Sequence, residues 1–339
     1  MDLDTRIDGS DALVEEIAGL FGLPFPVTWR DLGGSWTTNL LLEYPGRPLV
    51  TRIYQGYTSP DRLAAVQAAR QAVGAAGIPT VVPAFADRPF VTLSGGRLAE
   101  VEPYVHWNAR MSTVPLLEAG FGVLARLHDV LRTAVIPAAA RTVRYANHIY
   151  SEDALSATFS GADLIRGWGD AALSAFADEV TAHVSTVDSA ERPLRAGQLR
   201  QVVHGDFWDN NVLFLDDVLV ALLDFDFMAE RPRVDDLALT AYFYLLEPGK
   251  GLPGPADRLQ LRRFVDCYDV SARVPLSDSE RAALPLAIAR QPAWSVGRWV
   301  LELDEPEAKK HAAAAAAELP VAQAILADFP AWQDALLRK

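Results

Sequence analysis

Cysteine is almost absent: one residue, Cys267, in 339, so no internal disulfide and no multi-cysteine metal centre is available. Cations are in deficit, 31 Lys plus Arg against 44 Asp plus Glu, for a formal charge of −13. That balance opposes a nucleic-acid partner, because phosphate contacts need clustered positive charge, and it would attract a cationic small molecule. No apolar run approaches the roughly 20 residues that a bilayer span needs. The N-terminal MDLDTRIDGSDALVEEIAGLFGL is acidic and amphipathic, where a secretory or transit signal is basic. The expectation is a protein of the reducing cytoplasm with no membrane partner. Also missing are GxxxxGK[ST], HExxH, CxxC and GxSxG, and with them go P-loop, zincin, dithiol and nucleophile-elbow chemistry. GKGLPG, Gly249 to Gly254, matches GxGxxG by letters only. It follows the helical-looking TAYFYLLEP and carries Pro253 inside the turn, so it reads as a surface loop.

What the chain does have is apolar residues, 50% of the total, enough for a large core, and length enough for two lobes. Ser10 or Asp11 caps a first helix, ALVEEIAGLF. DLGGSWTTNLLLEYPGRPLVTRIYQ reads as a turn, a strand through Leu40 to Tyr44, a Pro45-Gly46 turn and a strand through Leu49 to Tyr54. Ser59 and Pro60 open a helix over DRLAAVQAARQAVGAAG, and further strands are expected at VVPAFA, PFVTL and RLAEVEPYV. Beyond residue 105 helical periodicity takes over, beginning with MSTVPLLEAGFGVLARLHDVL. The predicted architecture is α+β and bilobal: a small antiparallel sheet lobe over residues 1–103 and a large, mainly helical lobe over residues 104–339. The segment from Tyr145 to Gln198 reads as helices joined by turns, a candidate cover on the substrate side.

One stretch breaks the apolar pattern. VVHGDFWDNNVLF, Val202 to Phe214, sets His, Asp and Asn in a frame of Val, Leu and Phe, where burial excludes polar groups that lack partners. Its spacing, HxDxxxxN, puts Asp206 five positions before Asn211, as in the catalytic loop of kinases. After the Asp216-Asp217 turn a second apolar strand, VLVALL, runs into Asp224-Phe225-Asp226, so a hairpin returns Asp224 to the neighbourhood of Asn211. A carboxylate and an amide oxygen on adjacent strand ends suit Mg²⁺, which takes one or two protein ligands and completes its shell with phosphate and water. Asp206 would orient an acceptor hydroxyl and take its proton. The bland alternative is a polar turn whose side chains bond only to backbone N–H groups.

HGDFWDNNVLF resembles the catalytic loop of the aminoglycoside phosphotransferase and choline kinase superfamily, LLDFDF its metal-binding strand, and RVDDLAL the helix start that follows. The resemblance implies a protein-kinase-like fold and transfer of the γ-phosphoryl of ATP, or of GTP, with Mg²⁺, to a small-molecule hydroxyl. It implies Asp206 as base, Asn211 and Asp224 as metal ligands, Asp236 as a brace for the loop, and His204 hydrogen-bonded inside it. Gly205 replaces the Arg of HRD, and only a short link joins Asp224 to Asp235-Asp236. That leaves no room for an activation segment, so peptide acceptors are not expected. Gly33, Gly34 and Ser35 lie on the turn that in the family covers the nucleotide phosphates, where backbone N–H groups would bond them. Arg52 stands where the family commonly has Lys, and its guanidinium would either clamp phosphate or be only a strand-surface charge. The next helix offers Val66 and Gln67 where an acidic partner for Arg52 is expected, which leaves Asp224 or the nucleotide to hold it. In AEVEPYV, the hinge, the Glu102 carbonyl and the Tyr104 N–H would bond an adenine edge, since Pro103 has no N–H.

For the acceptor, Asp209, Asp226 and Glu230 lie close in sequence to the catalytic centre and would either receive an ammonium group or serve as solvated or helix-capping charges, with Glu302, Asp304 and Glu305 as further candidates. Trp36, Trp208 and Trp299 would either stack on rings or fill core. The resemblance implies an aminoglycoside or related amino sugar as acceptor, with antibiotic resistance as the consequence. A homoserine- or choline-like amino alcohol is the alternative, because DFDF and DDLALTAYF also resemble the homoserine kinase branch. A nucleotide-binding protein without catalysis is the rival from another class, motivated by Arg52 and the missing helix acid.

Overall fold

The computed structural model describes residues 6–34, 36–143, 149 and 151–337. Helix α1 (Asp11–Phe21) starts at Ser10, whose Oγ accepts the Leu13 N–H at 3.2 Å, and stops at Gly22, which takes a left-handed φ of 69°. Its Val14, Ile17 and Phe21 share a buried cluster with Leu40, Leu42, Leu49, Ile53 and Val101 of an antiparallel sheet. The sheet's order is β1 (Thr28–Gly33), β2 (Thr38–Glu43), β3 (Leu49–Ile53), β5 (Leu98–Pro103), β4 (Val91–Thr92). Strand β1 forms where the sequence suggested only a turn. It lies on the sheet edge with its side chains largely exposed, so it carries no buried alternation to read. VVPAFA is not a strand: Pro83 has no N–H to donate, and the segment is attached through the Ala84 N–H to Val101 O at 2.7 Å.

Helix α2 (Pro60–Ala75) is capped by Ser59, which accepts the Arg62 N–H at 3.2 Å. Its Ala65, Val66, Ala69 and Val73 do not join the sheet's core. They enter the large cluster that also holds Phe121 and Leu124 of α3 (Val114–Thr133). The sheet ends at Pro103, yet the two lobes share one hydrophobic interior through α2.

The second lobe continues with β6 (Ala109–Arg110), α3, α4 (Ser151–Gly167), α5 (Ala171–Glu191), β7 (Arg200–Val203), β8 (Val212–Leu215), β9 (Val218–Leu222), β10 (Ala229–Pro232) and α6 (Val234–Leu245). It closes with α7 (Pro255–Ser271), α8 (Asp278–Ala289), a short α9 (Pro292–Trp294), a π-helical turn (Ser295–Trp299), α10 (Val300–Glu302), α11 (Glu305–Ala327) and α12 (Phe329–Leu337). The GKGLPG stretch is the loop between α6 and α7. Strands β8 and β9 form the hairpin expected from VLF and VLVALL, with Val212 opposite Leu222 and β6 on the outer edge. Among the described residues no single helix is long and apolar enough to cross a membrane.

Candidate active site

The loop between β7 and β8 is fastened from α6. Asp236 accepts the N–H groups of His204 and Gly205, each at 2.8 Å, and Thr240 donates to Phe207 O at 2.6 Å. Behind Asp236 stands His128 of α3, with Nε2 3.1 Å from the carboxylate and Nδ1 2.9 Å from the Tyr268 hydroxyl. His204 is buried and neutral: Nε2–H donates to Leu223 O at 2.9 Å, and Nδ1 accepts the Asp206 N–H at 3.2 Å. Burial lowers its pKa against the pull of Asp236 and Asp224. Gly205 takes a φ of 82°, and a Cβ there would meet Phe227 O at 2.1 Å. Only glycine fits, so the arginine that protein kinases place here has no room.

This frame sets Asp206, 5% exposed, in the wall of a cavity of about 1050 Å³. Asn211 donates Nδ2 to Asp206 Oδ2 at 2.7 Å and to Asp206 O at 2.9 Å. With Nδ2 committed there, the amide oxygen is the atom Asn211 offers to a cation. Asp224 leaves β9 in a left-handed conformation, φ 58°, and lines the same cavity. The two strand ends are tied by the Leu223 N–H to Asn211 O at 2.9 Å. Among the described residues no group of three or more His, Cys, Asp or Glu is arranged for a metal. An Asn–Asp pair of hard oxygens could instead hold a hard cation that takes one or two ligands from protein and the rest from phosphate and water.

Arg52 is buried, and its Nη2 lies 3.0 Å from Asp226 Oδ2 and 3.4 Å from Asp224 Oδ1. The acid absent from α2 is thus supplied across the lobes. Helix α2 brings the opposite charge: Arg70 bridges Glu100, at 2.5 Å, and Glu102, and Gln67 donates to Glu100 at 2.6 Å. Two buried carboxylates share one guanidinium there. Burial opposes ionisation of Glu100, but Arg70 and Arg52 outweigh it and hold its pKa low. Burial pushes Glu102 up to about 7, and the charge of Glu100 adds to the rise. Asp226 is likewise pushed up by burial, to about 6, against the pull of Arg52.

Several expectations need correction. The Tyr104 N–H assigned to an adenine edge is donated to Pro48 O at 3.1 Å. Gly34 lines the cavity, while Ser35 lies outside the described residues. Asp226 lines the cavity but Asp209 and Glu230 do not. On β10 the side chains alternate, Ala229 and Arg231 inward, so Glu230 points outward to Arg141 at 2.9 Å. Asp304 caps α11 by accepting the Glu307 N–H at 3.1 Å, and Glu305 pairs with Lys309. The residues of α11 that reach the cavity are Glu307, His311, Ala314 and Glu318; Glu302 does not. Of the segment read as a substrate-side cover, residues 145–148 and 150 lie outside the described residues. Helices α4 and α5 pack against the π-helical turn and α11 without lining the cavity. Sequence reasoning also missed Arg62, whose guanidinium reaches four backbone carbonyls across the lobes: Ala139 (3.0 Å), Thr142 (3.1 Å), Asp226 (2.9 Å) and Met228 (2.7 Å). Nothing local marks it, because its partners are distant in sequence.

The bilobal fold is kinase-like, the frame of a phosphotransferase. The model of the phosphotransferase enzyme family APH matches residues 28–269, and the chain belongs to that family. A homoserine kinase of Rhodospirillum rubrum is 34% identical over 85 residues, which is 25% of this chain and 25% of that enzyme. The chain therefore matches only a quarter of the length of that relative. Among solved structures, a microcompartment-associated aminopropanol kinase superposes with a TM-score of 0.68 at 18% identity, covering 97% of this chain and 99% of the other. A spectinomycin phosphotransferase in complex with ADP and spectinomycin gives 0.63 at 13% identity, covering 96% and 98%. At such identities the likeness is one of fold.

Proposed function

We propose that the chain transfers the γ-phosphoryl group of ATP to a hydroxyl of an amine-bearing small molecule, an amino sugar such as an aminoglycoside being the first reading. The observation that carries it is Asn211 Nδ2 at 2.7 Å from Asp206 Oδ2, with Asp224 in the same cavity. In this reading Asp206 takes the acceptor's proton, Asn211 orients its carboxylate, and His204 holds its backbone in place. Asn211 Oδ1 and Asp224 would hold Mg²⁺, which when bound neutralises charge on the β and γ phosphates. Arg52 supplies a guanidinium for those phosphates, and the turn at Gly34 covers them.

The amine is supported by the charge of −13 and by Asp226, Glu307 and Glu318 on the cavity wall. Glu307 and Glu318 share one face of α11 about 16 Å apart along its axis, at 1.5 Å per residue. That spacing suits an acceptor with more than one amine, and phosphorylation of such an antibiotic would confer resistance. A compact amino alcohol is the second reading, supported by the likeness to the homoserine and aminopropanol kinases. The test is ADP or GDP release with Mg²⁺ and ATP or GTP against a panel of amino sugars and amino alcohols that includes spectinomycin, homoserine and aminopropanol. Asp206→Asn should cut turnover by about 10²–10⁴-fold while still binding the non-hydrolysable analogue AMP-PNP. No release by the wild type across the panel, or full turnover by Asp206→Asn, rejects the reading.

A further inference from the structure

Helix α2 carries a cation where a helix disfavours one. Arg62 lies in its first turn, beside the positive end of the helix dipole, and its own N–H is already bound to Ser59 Oγ at 3.2 Å. What holds its guanidinium is elsewhere in the chain. Nη1 donates to Ala139 O and Thr142 O, at 3.0 and 3.1 Å, and Nη2 donates to Asp226 O and Met228 O, at 2.9 and 2.7 Å. The two nitrogens thus serve two segments, one following α3 and the other following β9. Arg62 also lines the cavity that contains Asp206.

The second segment is the one that presents Asp224. It begins where the Leu222 N–H is donated to Pro79 O at 2.8 Å and the Leu223 N–H to Asn211 O at 2.9 Å. Asp224 then takes its left-handed φ of 58°, a conformation that a residue with a Cβ keeps only where its surroundings impose it. The chain turns back at once, with the Met228 N–H on Phe225 O at 3.1 Å, and Ala229 enters β10 opposite Val203. Arg62 grips this return at Asp226 O and Met228 O. On the same segment the Asp226 side chain holds Arg52, 3.0 Å away. One guanidinium therefore fixes the backbone that carries both cavity carboxylates, Asp224 and Asp226.

We propose that Arg62 is a positioning residue for the cation and phosphate end of the site, acting through the backbone of residues 226–228. The inference rests on the phosphotransferase reading above. Outer groups that orient a metal's ligands are worth about 10–100-fold in metal affinity, and Arg62 stands in that relation to Asp224. The task needs a planar fork. Its two terminal nitrogens meet two pairs of carbonyls at once, whereas a lysine ammonium is a single point with three donors.

The experiment titrates Mg²⁺ at fixed AMP-PNP into the wild type, Arg62→Met and Arg62→Lys, well below the Tm of each, and reads bound nucleotide. The Mg²⁺ concentration for half-maximal binding should rise by about tenfold or more in Arg62→Met, and by less in Arg62→Lys. Arg281→Met is the reference for lost stability alone. It removes a bond from α8 to Leu336 O, 2.8 Å long and away from the cavity, and should lower Tm without moving the Mg²⁺ midpoint. If Arg62→Met does not fold, Arg62→Lys carries the test, with a midpoint above that of the wild type expected. A wild-type midpoint in the variant that carries the test, whatever its Tm, overturns the inference and leaves the transferase reading standing. AMP-PNP binding by the wild type that ignores Mg²⁺ removes the cation site, and both the inference and that reading fall with it.

Discussion

Replacing Gly205 by alanine adds one methyl group between His204 and Asp206, and the structure gives it nowhere to go. A φ of 82° is left-handed, which costs a residue bearing a Cβ about 1–2 kcal/mol. The new carbon would also lie 2.1 Å from Phe227 O and 2.7 Å from Phe227 C. Those are backbone atoms and cannot rotate aside, so one of the two segments must shift, at about 1–3 kcal/mol for overpacking. The sum, about 2–5 kcal/mol, is a large share of the roughly 5–15 kcal/mol that holds a domain folded. Either shift also reaches the chemistry. Phe227 follows Asp226, which holds Arg52, and the Gly205 N–H is itself bonded to Asp236. A displacement of about 1 Å between Asp206 and Asp224 lowers the rate by about 10²-fold. Urea unfolding and kcat, measured on the same preparation, should both show the loss. An unfolding midpoint and a kcat equal to wild type would refute the claim that steric exclusion selects glycine here.

Asp224→Ala should leave AMP-PNP binding nearly indifferent to Mg²⁺, and an unchanged Mg²⁺ dependence in a titration would remove Asp224 as a ligand. Glu102 holds its proton up to about 7 in the fold against an ordinary 4.5, so it favours the folded state most below about pH 4.5 and loses that contribution as pH rises through about 7. Glu102→Gln stays neutral throughout, so the wild type should lose stability relative to it between about pH 5 and 8 in thermal melts, and parallel curves would reject the raised pKa. Arg290 is buried between Glu191 and Asp235, 2.7 Å from the latter. Arg290→Met strands both carboxylates and should cost about 3–5 kcal/mol in urea unfolding, so a loss below about 1 kcal/mol would show that the trio is not a unit.

The grouping of Asp206, Asn211 and Asp224 was legible because it is local. Asp206, Asn211 and Asp224 are related by one hairpin, and apolar alternation on either side of the Asp216-Asp217 turn specifies its register, Val212 opposite Leu222. The partners of Arg52, Arg62 and Asp236 are not local. Arg52 meets Asp226 across 174 positions and His128 meets Asp236 across 108, and no pattern near either residue records the pairing. The proposed acceptor wall was missed for a different reason. Which carboxylates of α11 face the cavity depends on the helix's phase, and the run HAAAAAAEL has no amphipathic stripe from which to read it. Glu307 and Glu318 reach the cavity and Glu305 does not, a distinction set by one face of the helix. The geometry of the Asp206 loop is therefore encoded by short spacings, whereas the proposed acceptor wall depends on the phase of α11. On the proposed function, substitutions at Glu307 or Glu318 would change the acceptor while leaving the bond between Asn211 and Asp206 and the bonds of Asp236 to the loop in place.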